Sequence, residues 1–348
     1  MDGGHFGIGD TAGSRVKDRA NMSALDSSRF ASRSAGSDLI RRGSDFVMIM
    51  YAPTSHTGMR FVQYDEGRLG LLTDDGTGII DLTDRLGLES EDPLAEYIES
   101  DDDASEYADA EADVAVEDAH LGSPIRRPGK VIAAPLNYEN HIEEAIADRD
   151  ITTDEWFSIE DKGYFLKAPS SVVGPDDGIE LPFSDRRCDH EVELAFVMGE
   201  DVKDVSTEEA WDGIFGYTIL LDISVRGDQD RSNRKSYDTF TVIGPAVVTA
   251  DEIDDPQNLD LELQLNGEVR QSDNTSDMVY TCGNVVQYAS IGATVEAGDV
   301  ITTGTPEGVG ALSDGDTIEA TIEDVGSMTV DVTERDRTFD DVNVNKDG

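Results

Sequence analysis

The chain has 348 residues, enough for one large domain and a smaller one, and its 38% hydrophobic and 7% aromatic content is lean but above that of a disordered protein. Its 75 Asp and Glu against 27 Lys and Arg give a net charge of -48, which repels nucleic acid and favours a molar-salt solvent whose Debye length of about 3 Å screens the self-repulsion. No run approaches the roughly 18 apolar residues of a membrane span, no compact apolar segment near the N-terminus reads as a secretory signal, and Cys188 and Cys282 lack disulfide-framework or zinc-site spacing.

Only seven of the basic residues are lysines, the strongly hydrated cation that arginine replaces here. This pattern is read as that of a cytoplasmic protein of a salt-accumulating halophile, in which each surviving lysine invites inspection.

Residues 1–58 are rich in Gly, Ser and Ala and hold seven basic against six acidic residues, so the acidic signature begins only after them. They are read as a disordered extension, or as sequence upstream of a true start at Met59. From Met59, short β runs joined by glycine-bearing turns predict a small β-containing N-terminal domain over 59–125. An acidic stretch over 89–118 has helical character, and the proline-containing segment 123–129 marks the domain boundary.

Beyond it β runs dominate, at 131–134, 164–167, 191–198, 216–221, 244–249, 259–265 and 299–303, with helices at 138–150, 206–211 and 282–291. The expected fold class is mixed α/β and predominantly β. A rolled β sandwich with a few covering helices occupies 126–335, and 336–348 form a tail.

Strand alternation over 191–198 puts Glu191 and Glu193 on one face and Val192, Leu194 and Phe196 on the other. Paired carboxylates in apolar company need a cation or deep hydration, so the pair fits either a solvated acidic edge or a metal site. An apolar strand also runs into Asp222, either a turn residue or a third carboxylate; with it the set becomes an oxygen site suited to Mg²⁺ or Mn²⁺.

On the 138–150 helix, His141 and Glu144 stand at i and i+3 on one face, where a carboxylate can orient a histidine as a general base. Lys167 and Lys235 lie in apolar or aromatic surroundings, which suits binding an anion or countering the carboxylates. The glycine-rich turn after the 299–303 run, which includes Gly304, Thr305, Gly308 and Gly310, lacks the Lys and helix of a phosphate loop. It reads as either a tight turn or a backbone-and-hydroxyl cradle for a carboxylate.

In this order the motifs resemble the fumarylacetoacetate hydrolase family from about Gly129 to Val330. They are the Asn-Tyr pair at 137–138 with His141 and Glu144; Phe-Leu-Lys at 165–167 and Val-Gly-Pro at 173–175; Glu191 and Glu193; and Asp222, Ser224, Arg226 and Gln229. After them come the run 235–240, Ile-Gly-Pro at 243–245, the segments 266–271 and 274–278, and the turn 298–310. The chain departs from the family pattern where Gly227 and Asp228 replace a common Asp-Leu, and where the segment 229–235 is short and charged.

The resemblance implies a small N-terminal domain, a β-roll catalytic domain and a homodimer; the acidic charge and the short apolar runs point to no nucleic-acid or membrane partner. It implies Mg²⁺ or Mn²⁺ on Glu191, Glu193 and Asp222, a base dyad of His141 and Glu144 aided by Lys235, and Lys167, Arg226, Gln229 and Thr305 around a small 2-oxo or enolic acid. The stretch 154–158 is positioned to act as a lid. The implied reaction is hydrolysis of a C–C bond in an acylpyruvate or fumarylacetoacetate-like acid through a metal-bound enolate. The same site suits isomerisation of a hydroxy-dienedioate, decarboxylation of oxaloacetate or dehydration of a 2-oxo-3-deoxy sugar acid.

Overall fold

The computed structural model describes residues 58–147 and 159–342. The expected disordered extension, the end of the first helix, the 154–158 lid and the last residues of the tail lie outside them.

Among the described residues the backbone forms an eleven-stranded, a five-stranded and a three-stranded sheet. In spatial order the largest runs Val114–Ala115, Gly78–Asp81, Arg68–Leu72, Arg60–Tyr64, Thr241–Thr249, Ile214–Asp222, Val192–Met198, Val300–Thr302, Val131–Ala133 and Phe165–Lys167, with Val172–Val173 paired beside Thr241–Thr249. The chain is predominantly β, as the β-branched runs and glycine turns require.

Hydrogen bonding crosses the 123–129 segment: Phe61 stands opposite Val247, so the strands of 59–125 extend the same sheet that carries the later elements. Leu69, Ile80 and Leu94 join Ala195, Val197, Leu220 and Ile243 in one apolar cluster on one face. On the other face Val192, Leu194, Phe196 and Met198 pack with Ile219, Leu221 and Ile301 in the larger cluster. Each fully buried side chain of this size contributes about 1.5–3 kcal/mol, so the central strands are fixed from both sides.

The Val192–Met198 strand is therefore buried along its whole length rather than half exposed. The alternation read from the sequence holds in direction, but the face bearing the glutamates looks into the protein.

Helices cover the sheets where the sequence supplies caps. Thr207–Asp212 starts at Ser206, whose hydroxyl accepts from the Glu209 amide at 3.3 Å while the Glu209 carboxylate accepts from the Ser206 amide at 2.9 Å. Cys282–Gly292 buries Cys282, Val285, Val286 and Ala289 on one stripe. Both cysteines are free and buried.

Candidate active site

The strands Val192–Met198 and Ile214–Asp222 run antiparallel, with Val192 opposite Leu221 and Glu193 opposite Leu220. One step further, the Asp222 amide donates to the Glu191 carbonyl at 2.9 Å, which sets these two residues opposite each other. Side chains directly opposite share a face, and so do i and i+2 on one strand. Pairing and pleat together thus bring the Glu191, Glu193 and Asp222 carboxylates into one group, with candidate ligand oxygens within 4.8 Å of one another.

All three residues are at most 5% exposed. Like charges this close repel by roughly 3 kcal/mol or more per pair at an effective dielectric of about 20. Two ammonium groups answer part of that cost. Lys235 Nζ donates to Glu191 Oε2 at 2.8 Å and to Asp222 Oδ2 at 2.6 Å. Lys167 Nζ donates to Asp222 Oδ1 and to the carbonyls of Lys235 and Phe240 at 2.6 and 3.0 Å.

Glu191 has two further partners. Arg226 Nη2 donates to its Oε1 at 2.9 Å, while Arg226 Nε is held by Asp189 at 2.7 Å, and Ser224 donates to the same Oε1 at 3.1 Å. Burial works to raise the Glu191 carboxyl, yet the Lys235 and Arg226 charges outweigh it and hold it well below the usual carboxylate range. Among the described residues no cation is hydrogen-bonded to Glu193, and the Lys235 charge only partly offsets its burial. Its Oε2 accepts from the Thr302 hydroxyl and from the Gly304 amide at 2.9 Å, and burial together with the Asp222 charge pushes it up to about 8. A group of oxygen donors left under-neutralised at Glu193 fits a hard divalent cation.

His141 and Glu144 meet on the Glu139–Ala147 helix, with Nδ1 2.8 Å from Glu144 Oε2. The carboxylate fixes the proton on Nδ1 and leaves Nε2 as the basic nitrogen. Glu144 is seated in turn by the Gly308 amide.

A cleft with about 480 Å³ of empty space, part of it open solvent, brings the triad and the histidine of the dyad together: His141, Glu191, Glu193, Asp222, Arg226, Lys235 and Thr305 all line it. Lys167 and Gln229 do not. Lys167 sits fully buried behind Asp222, so its cation serves the carboxylate group from the protein side. Gln229 is half-buried, and its Oε1 has no partner among the described residues.

The glycine-rich turn cradles carboxylates as its composition suggests, but they are the protein's own: Gly304 holds Glu193 and Gly308 holds Glu144. The Thr305 hydroxyl donates to the Val192 carbonyl and accepts from Gln271, both at 2.8 Å. Asp189, Thr302 and Gln271 carry this framework and went unassigned in the sequence, although Gln271 closes one of its matching motifs. Arg231 and Arg234 also line the cleft; the only hint of them was the charged character of 229–235.

The family model for the C-terminal part of fumarylacetoacetate (FAA) hydrolase matches residues 130–333. The chain is 41% identical over 284 residues to a maleylpyruvate hydrolase of Aquipseudomonas alcaligenes, covering 78% of this chain and 98% of the relative. It is 33% identical over 299 residues to a mitochondrial oxaloacetate tautomerase of Xenopus laevis, covering 78% and 89%. The maleylpyruvate hydrolase of Sphingobium sp. SYK-6 in complex with manganese(II) and pyruvate superposes with a TM-score of 0.68 at 36% identity, over 79% of this chain and 99% of that one. On the match over 130–333 and these relatives, the chain belongs to the fumarylacetoacetate hydrolase family.

Proposed function

We propose that this protein is a divalent-metal-dependent hydrolase that cleaves the C–C bond of an acylpyruvate, with Glu191, Glu193 and Asp222 holding Mg²⁺ or Mn²⁺. The observation that carries the proposal is that the buried carboxylate triad and His141, which is hydrogen-bonded to Glu144, line one cleft. The manganese and pyruvate of the Sphingobium relative support the same reading. The cation, when bound, supplies positive charge facing the oxygens of a 2-oxo acid.

In this reading Glu144 keeps the Nδ1 proton in place and His141 Nε2 takes a proton from water. The hydroxide adds to the 4-carbonyl carbon. The bond between C3 and C4 then breaks, its electron pair leaving with the pyruvate fragment as an enolate. The proton held by His141 goes to C3, so one water and one acylpyruvate give a carboxylic acid and pyruvate. Arg226 and Lys235 hold Glu191 and Asp222 in position, and Lys167 steadies Asp222 from behind. Thr305, which lines the cleft, and Gln229, which does not, are proposed as substrate-binding residues.

A second reading rests on the likeness to the oxaloacetate tautomerase. Without attack by water, the same base moves a proton between carbon and oxygen of a 2-oxo acid. Isomerisation, decarboxylation and sugar-acid dehydration belong to the same set.

The protein is further proposed to work as a homodimer in a salt-rich cytoplasm. Its net charge of -48 supports the salt requirement, and Leu166, 45% exposed on the outermost strand of the large sheet, supports a partner surface. Light scattering across a KCl series tests both points.

The deciding experiment is an assay of metal-reconstituted protein in molar KCl with acylpyruvates, oxaloacetate, hydroxy-dienedioates and 2-oxo-3-deoxy sugar acids. Formation of pyruvate from an acylpyruvate, lost on chelation and in His141→Ala, is the expected outcome. Turnover that survives both removes the proposal.

A further inference from the structure

We infer that Gln271 is a positioning residue that couples the metal-binding strand to the base dyad, so that the carboxylate triad and His141 are set as one unit through the turn at 303–308. This rests on the metal and base roles proposed above and deepens them.

The strand Val192–Met198 pairs with Val300–Thr302 only from Ala195 to Val197. Past Thr302 the neighbouring chain leaves the ladder for the glycine-rich turn, and its last regular bond runs from the Thr303 amide to the Leu194 carbonyl at 3.1 Å. Val192, between the two glutamates, is fully buried and has no strand beside it on that edge among the described residues. Its amide and carbonyl must still be satisfied. Side chains take the place of the missing strand: the Val192 amide donates to Gln271 Oε1 at 3.1 Å, and the Val192 carbonyl accepts from the Thr305 hydroxyl at 2.8 Å.

Gln271 reaches this point from the strand Glu268–Asn274, at the outer edge of the five-stranded sheet. Residues Glu268 to Arg270 and Ser272 are exposed, whereas Gln271 is 1% exposed. Its amide is fully engaged. Oε1 accepts from the Val192 amide and from His190 Nδ1 at 3.2 Å, while Nε2 donates to the Thr305 hydroxyl at 2.8 Å and to the Pro306 carbonyl at 2.9 Å. The Val192 amide can only donate and the Pro306 carbonyl can only accept, which fixes the oxygen toward the strand and the nitrogen toward the turn.

The turn is in contact with both halves of the site. The Gly304 amide donates to Glu193, the Gly308 amide donates to Glu144, and Asn137, just ahead of the base helix, donates to the Thr303 carbonyl at 2.7 Å. Gln271 does not line the cleft, so its influence on the chemistry passes through what it holds. Released from it, the turn would carry Glu193 and Glu144 out of place together, and displacements of about 1 Å near reacting groups are enough to cost 100-fold in rate.

The test compares wild type with Gln271→Met, which keeps the length and loses all four bonds, and Gln271→Asn, which keeps the amide one methylene short and decides the matter if Gln271→Met does not fold. Both substitutions are neutral, so they leave the charge of the site as it was. Folding is checked by thermal melting in molar KCl, Mn²⁺ affinity is titrated by electron paramagnetic resonance, and the ring-nitrogen signals of His141 are followed in protein labelled with ¹⁵N-histidine. Mn²⁺ affinity should fall by about 10-fold, and the His141 signals should move toward those of Glu144→Ala. With an acylpyruvate, kcat should fall by roughly 10- to 100-fold with a smaller change in KM. A folded variant with wild-type Mn²⁺ affinity and wild-type His141 signals overturns the inference, and so does a change in one readout without the other. Absence of turnover in wild type rejects the hydrolase reading and leaves these two readouts to decide the role of Gln271. Mn²⁺ affinity that is equal in wild type and a Glu193→Gln control rejects the metal assignment and the inference with it.

Discussion

The Gly308 amide lies 3.1 Å from Glu144 Oε1 and 3.3 Å from Oε2, which makes a glycine far along the chain the seat of the carboxylate that orients His141. The position admits no other residue without disturbance. Its φ is +98°, and a Cβ there would stand 2.0 Å from the Arg270 carbonyl oxygen. Gly308→Ala should therefore cost about 1–3 kcal/mol of stability. By displacing Glu144 it should also lower kcat on the order of 10- to 100-fold. Thermal melting and steady-state kinetics on one preparation check the two effects together, and an unaltered kcat would detach Glu144 from the chemistry.

Glu193→Gln tests the carboxylate group without removing its support, because an amide oxygen can still accept from the Thr302 hydroxyl and the Gly304 amide. The variant should fold as wild type does and lose divalent-cation affinity by about 10- to 100-fold, as for the loss of one charged oxygen donor. Titration of Mn²⁺ followed by electron paramagnetic resonance reads this without any assay of turnover. Equal affinity in the two proteins would place the cation elsewhere.

Lys167 and Asp222 form a buried pair, with both side chains at most 1% exposed. Lys167→Met leaves the Asp222 carboxylate short of a partner and should destabilise the metal-free protein by about 3–5 kcal/mol. Adding Asp222→Asn should return part of that loss, so the coupling in a double-mutant cycle in molar KCl is expected to be large. A residue whose main task was to touch substrate would show little coupling in the absence of substrate.

Asp273 supplies a pH dependence away from the cleft. Burial first, and then its hydrogen bond with Asp277 and the charges of Asp277 and Glu307, raise its carboxyl from 3.8 to about 7. The folded state thus holds the proton more tightly than the unfolded chain. Its contribution is fully present below pH 3.8 and declines as pH rises through about 7. Asp273→Asn should flatten the fall of melting temperature over this interval, measured at constant KCl, and gain most over wild type above pH 7. Parallel curves for the two proteins would contradict it.

Much of the site was legible because strand periodicity is local. Glu191 and Glu193 share a face by alternation, and His141 and Glu144 meet by helical spacing. Asp222 stood out at the end of an apolar strand and in the motif order, but its meeting with the glutamates depended on pairing between two strands, which alternation cannot supply. The partners of these groups were harder to read. Thr302 reaches Glu193, and Asp189 reaches Arg226, through contacts that residue type does not announce. The apolar setting of Lys167 indicated burial but not that its ammonium would be turned toward Asp222.

The sheet boundaries show the same limit. The strand Thr241–Thr249 begins three residues before the expected run and carries Pro245 within it, while its register against Ile214–Asp222 shifts between Tyr217 and Ile219. A proline cannot donate to the ladder, and the irregularity accommodates it. The joining of 59–125 to the large sheet was likewise invisible, since it rests on Arg60–Tyr64 pairing with Thr241–Thr249, remote in sequence.

The near absence of lysine has a practical consequence for anyone labelling or immobilising this enzyme. Lys167 and Lys235 are buried and engaged by carboxylates, while Lys203 is exposed but hydrogen-bonded to the Ser290 and Ile291 carbonyls. Amine-directed dyes and resins will find few handles and will spare the cleft. Carbodiimide coupling through the acidic surface offers far denser attachment, at the cost of the hydration shell that those carboxylates maintain.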